Sequence, residues 1–91
     1  MPSRDDIIKT LINILTQIQA MSGHDTPAPI TPNLRPLCDL EGFESINAAE
    51  ATAMLADTLH LQLNDIPFFP QKGKDYLTIN QIADQIIEGQ R

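Results

Sequence analysis

Apolar residues recur at helical spacing in three stretches of the chain. Ile7, Ile8, Leu11, Ile12, Leu15 and Ile18 mark the first, a repeat that gathers them on one face of a helix. Ser3 and Asp6 stand before it with approximate capping-box spacing, and together these features predict a helix over about Arg4 to Met21. Ile14 widens the apolar stripe, so this helix is expected to pack on two neighbours. The second stretch opens at Ser45 and runs to about Leu59, with Ile46, Ala48, Ala49, Thr52, Leu55, Ala56 and Leu59. At about 100° per residue, Ala48, Thr52, Leu55 and Leu59 share a face; Asn47, Glu50 and Asp57 lie opposite, with Ile46 and Met54 among them. The third stretch carries Ile79, Ile82, Ala83, Ile86 and Ile87. Thr78 with Gln81 forms a capping box, Leu77 with Ile82 has the spacing of a hydrophobic staple, and Gly89 supplies a stop.

Between these helices the pattern breaks. Ser22-Gly23 ends the first helix, and the following stretch holds Pro27, Pro29, Pro32 and Pro36, which disfavour a sustained helix. A structureless loop of this length is uncommon in a compact domain and is usually functional or disordered, and Ile30, Leu34, Leu37 and Leu40 are placed to pin it across the bundle. The segment from Asn64 to Pro70 allows at most a short turn of helix, since Pro70 would break anything longer. Gln71 to Tyr76 is a polar connection. Phe68 and Phe69 are expected to plug the end of the bundle. The whole, residues 1–91, is predicted to be a single all-α domain: a small four-helix bundle with a long loop between the first helix and the Ser-led helix, and a short third helix.

Composition agrees with that architecture. A 91-residue chain with 42% hydrophobic residues, 4% aromatics and no Trp suits a core filled by Leu, Ile and Ala, and a domain this small buries only a little over ~60% of its unfolded surface. One cysteine, Cys38, leaves no internal disulfide and no multi-Cys zinc site. The polar N-terminus and the lack of a long apolar run point to a soluble, cytoplasmic protein without membrane insertion.

Net charge is -6, and between Arg35 and Lys72 there is no Lys or Arg while Asp39, Glu41, Glu44, Glu50, Asp57 and Asp65 all fall there. Such a segment repels nucleic acid and anionic lipid and favours proteins with basic patches. It also reads as an ordinary solvated acidic face. Ile46 and Met54 among the acids form either a contact surface or a pair of ordinary exposed apolar residues.

Catalytic chemistry has little to work with. His24 and His60 have no nucleophile paired with them in the sequence. Ser45, with Glu44 before it and Ile46-Asn47 after it, lacks the glycines of a hydrolase elbow, and neither metal-ligand spacing nor a phosphate-cradling glycine loop is present. The chain is not expected to be an enzyme. Ser45 at a helix start reads as a cap, and its neighbours supply a second reading.

The segment Asp39-Leu40-Glu41-Gly42-Phe43-Glu44-Ser45-Ile46 resembles the modification site of acyl carrier proteins and peptidyl carrier proteins, where G-x-D-S-L receives 4′-phosphopantetheine on the serine; here the motif reads G-F-E-S-I. Glu50, Leu55 and Ile66-Pro67 resemble further positions of that family, and the order of elements is similar over nearly the whole chain. The resemblance implies that Ser45 carries the arm and that cargo, acyl or aminoacyl, is held as a thioester on its thiol. A phosphodiester at a helix start meets unpaired N–H groups and the positive dipole end, a gain of ~0.3 to 1 kcal/mol when exposed. It further implies a docking face of Glu44, Ile46, Glu50, Met54 and Asp57 for a phosphopantetheinyl transferase and for acyl- or aminoacyl-processing enzymes with basic patches, as in fatty acid, polyketide or nonribosomal peptide biosynthesis. Glu44 and Ile46 in place of Asp and Leu, and Ala at 48, 51 and 56, point to a specialised stand-alone carrier. The alternative is an unmodified helical adaptor that binds a protein through the same acidic face.

Overall fold

The computed structural model describes residues 2–21, 30–40, 42–63, 66–69 and 76–89. They form four helices: α1 (Arg4–Met21), α2 (Pro36–Asp39), α3 (Ser45–Leu59) and α4 (Ile79–Gly89). The expectations for Ser22-Gly23, His24, Pro27, Pro29, Asn64-Asp65, Pro70 and the connection from Gln71 to residue 75 lie outside the described residues.

The central element is α1, which packs against both α3 and α4. The wide stripe requires this: Ile7, Ile8, Leu11, Ile14, Leu15 and Ile18 are all buried, and no single neighbour covers so broad a face. The capping box that opens α1 is reciprocal. The Asp6 N–H donates to Ser3 Oγ at 3.1 Å, and the Ser3 N–H donates to Asp6 Oδ2 at 3.2 Å. The same device opens α4, where the Gln81 N–H meets Thr78 Oγ1 at 3.2 Å and the Thr78 N–H meets Gln81 Oε1 at 2.9 Å. Ile79, Ile82, Ala83 and Ile86 then turn into the core.

From α3 come Ala48, Ala51, Thr52 and Leu55. Each fully buried Leu or Ile in this core contributes about 1.5–3 kcal/mol relative to exposure. Thr52 is accommodated there because its hydroxyl donates to the Ala48 carbonyl at 2.8 Å, leaving no orphaned polar atom. Ala51 joins the buried stripe, and both Leu59 and Met54, one turn beyond Ala51, are half-buried and packed on the core. Met54 therefore does not stand exposed among the acids.

The short helix lies earlier in the chain than expected. It is α2, inside the long loop, where Pro36 takes the first helical position and its missing N–H is no loss. Residues 67 and 68 form only a turn, which agrees with the limit set by the prolines. Phe68 is buried as a plug, whereas Phe69 sits at the surface.

His60 ends α3 in the left-handed region, φ 55 and ψ 42, and the Leu61 N–H closes the helix on the Ala56 carbonyl at 2.9 Å. A side chain is strained in this conformation and glycine is not. His60→Gly is expected to raise stability by about 0.5–1 kcal/mol, read as a higher urea midpoint. A lower midpoint would show that the imidazole makes a contribution larger than the strain.

Candidate functional site

The approach to Ser45 is built by three residues with separate duties. Gly42 has φ 74, a left-handed conformation that a Cβ would strain, and it turns the chain after α2. Phe43 then enters the core, 5% exposed, where its ring meets Phe68 at a centroid distance of 5.8 Å and a tilt of 49°. This is a favourable aromatic geometry. It fixes the chain two residues before the serine. Glu44 follows in extended backbone as the N-cap of α3, its N–H donating to Asn47 Oδ1 at 3.0 Å and its carbonyl accepting from the Ala48 N–H at 3.0 Å.

Ser45 is therefore not the cap. It is the first helical residue of α3 and is exposed, and among the described residues its hydroxyl has no hydrogen-bond partner. Because Glu44 and Asn47 supply the capping interaction, the serine hydroxyl is left uncommitted. The first-turn amides of α3 have no acceptor within the helix and give this end a partial positive charge.

Beside Ser45 lies an open groove of about 480 Å³, lined by Leu37, Phe43, Glu44, Ser45, Ile46 and Tyr76. Leu37, Phe43, Ile46 and Tyr76 bring apolar groups to it and Glu44 its one carboxylate; no basic residue lines it, and more than half of its exposed lining is polar. Ile46 projects at its rim, 74% exposed, and Tyr76 is 46% exposed. Large apolar groups beside an uncommitted hydroxyl make a surface suited to contact. Tyr76 was not among the residues anticipated for this region, since only the groove brings the start of the α4 segment to the start of α3.

Along α3, Ile46, Glu50 and Asp57 are all exposed and fall on one side at spacings of four and seven residues. Together with Glu44 they form an acidic face with one apolar projection. Met54 contributes only its half-buried flank. His60, at the opposite end of α3, stands roughly 20 Å from Ser45 by helical rise. Cys38 is exposed on α2. Among the described residues no group of three His, Cys, Asp or Glu is arranged to hold a metal ion, and no helix there is long and apolar enough to cross a membrane.

Compared with family models, with curated proteins and with solved structures, the chain finds no match.

Proposed function

We propose that this four-helix protein is a carrier of the acyl-carrier or peptidyl-carrier type, modified with 4′-phosphopantetheine on Ser45. The observation that carries the reading is the state of Ser45: first residue of α3, exposed, and free of the capping duty that Glu44 and Asn47 perform. A serine that only capped the helix would have its oxygen bound to a first-turn amide. Here the oxygen is available as a nucleophile, and the helix start beside it favours an attached phosphodiester.

The residues present fit such an arm. Ser45 offers the attachment oxygen, and the groove between Leu37, Phe43, Glu44, Ile46 and Tyr76 offers an open bed of mixed polar and apolar character next to it. The arm's terminal thiol is what would carry the acyl or aminoacyl cargo. The chain's own part is to hold the attachment point, keep it exposed, and present Glu44, Ile46, Glu50 and Asp57 to a phosphopantetheinyl transferase and to cargo-processing enzymes with basic patches. Tethering then raises the local concentration of cargo at each docked partner, and no base on the carrier is required.

An unmodified adaptor would use the same acidic face, and the exposed Ile46 favours that reading equally well. Co-expression with a broad-specificity transferase separates the two. The carrier gains the mass of one phosphopantetheine and Ser45→Ala gains none; a chain that stays unmodified with several transferases favours the adaptor.

A further inference from the structure

The groove beside Ser45 has two walls drawn from distant parts of the chain. Leu37 and Phe43 come from α2 and the turn after it, and Tyr76 comes from the segment leading into α4. Arg35 connects them. Its Nε–H donates to the Tyr76 carbonyl oxygen at 3.1 Å, while its backbone N–H donates to Asp39 Oδ2 at 2.8 Å. One residue thus both opens α2 and grips the opposite wall.

Nearby bonds make the rest of this junction firm. The Ile79 N–H donates to the Leu34 carbonyl at 3.0 Å, the Asn80 N–H donates to the Pro32 carbonyl at 2.9 Å, and Asn80 Nδ2 donates to Asn33 Oδ1 at 3.2 Å. The two backbone bonds satisfy first-turn amides of α4, and together the three fix residues 32–34 to that helix. They act three or four residues away from Tyr76. Among the described residues, the bond from Arg35 is the one hydrogen bond that Tyr76 makes.

We infer that Arg35 is a clasp that sets the opening of the groove beside Ser45 by holding Tyr76 against the Pro36–Asp39 turn. Both residues are exposed, so releasing the clasp leaves the core packing of α1, α3 and α4 untouched and lets the Tyr76 wall move outward. Arg35 is a positioning residue: it does not line the groove and acts through Tyr76. The inference concerns the groove itself and stands independently of whether Ser45 is modified.

Tyr76 is the sole tyrosine in a chain without tryptophan, so intrinsic fluorescence reports on this wall alone. In Arg35→Ala the acrylamide quenching constant is expected to rise about 1.5- to 2-fold as the segment opens locally. Arg35→Lys, which retains a charge and a donor, is expected to stay closer to the parent. Hydrogen exchange at the core amides of Leu11 and Ile86 is expected to be unchanged. Equal quenching of Tyr76 in the parent and in Arg35→Ala would overturn the inference. So would increased quenching accompanied by faster exchange at Leu11 and Ile86, since that pattern means general loosening rather than release of one wall.

Discussion

Phe68→Ala is expected to lower stability by about 3–5 kcal/mol, the cost of emptying a large buried aromatic site. Phe68 is 1% exposed, and its ring is the partner of Phe43. For a domain of this size the loss is a large part of the total, which is about 5–15 kcal/mol for native proteins generally. The site suffers with the core. Phe43 holds the turn that leads to Glu44 and Ser45, so the N-cap of α3 loosens when Phe43 loses its neighbour. Phe69→Ala, one residue on but at the surface, is expected to change stability by no more than about 0.5 kcal/mol. Urea denaturation of the two variants checks the contrast, and equal effects would mean that the two rings have been assigned the wrong surroundings.

Reversing the charges of the exposed face, Glu50→Lys with Asp57→Lys, is expected to slow transfer of phosphopantetheine to Ser45 by about tenfold or more at low salt, with the difference shrinking as salt is added. On the carrier reading proposed above, the cause would be electrostatic steering of a basic partner toward α3. The fold is expected to survive. Glu50 and Asp57 are both exposed, and Asp57 stands near the negative end of the helix dipole, where a lysine is the better match. Transfer rates measured across a salt series, with helicity as a control, provide the test. Rates equal to the parent at low salt would remove this face from the docking surface.

Much of the fold is readable from spacing. The bounds of α1 follow from its apolar repeat and from Ser3 with Asp6, and the start of α4 follows from Thr78 with Gln81; both are local patterns whose hydrogen bonds form within four residues. Ile14 announced two neighbours because a wide stripe cannot be covered by one helix. The start of α3 was equally clear, but the identity of its cap was not. Glu44 and Ser45 are adjacent, either type of side chain can stand at a helix start, and the choice depends on Asn47 turning its carbonyl oxygen back to the Glu44 N–H.

The remaining features depend on contacts between distant residues. The pairing of Phe43 with Phe68 spans the whole of α3, and nothing in the local pattern distinguishes Phe68 from Phe69. Placing Met54 among the exposed acids assumed a buried stripe centred near Leu55 and Leu59. Ala51 is buried as well, so the stripe is broad enough to take in Met54 on one side and Leu59 on the other. The position of α2 follows from Pro36 beginning a turn whose Arg35 amide is taken by Asp39, a short-range signal hidden among four prolines. Tyr76 is brought to the groove by contacts between distant residues: Pro32 and Leu34 are bonded to the start of α4, and Arg35 is bonded to Tyr76 itself.

The central claim is that Ser45 is a covalent attachment site. Ser3, Ser22 and Ser45 are the serines of the chain, so fragmentation mass spectrometry of the protein after incubation with coenzyme A and a broad-specificity transferase can assign an added group to one residue. The account predicts one phosphopantetheine per chain, located on Ser45 and absent from Ser45→Ala. An arm on any other residue, or an unmodified Ser45 after exposure to several transferases, would contradict it.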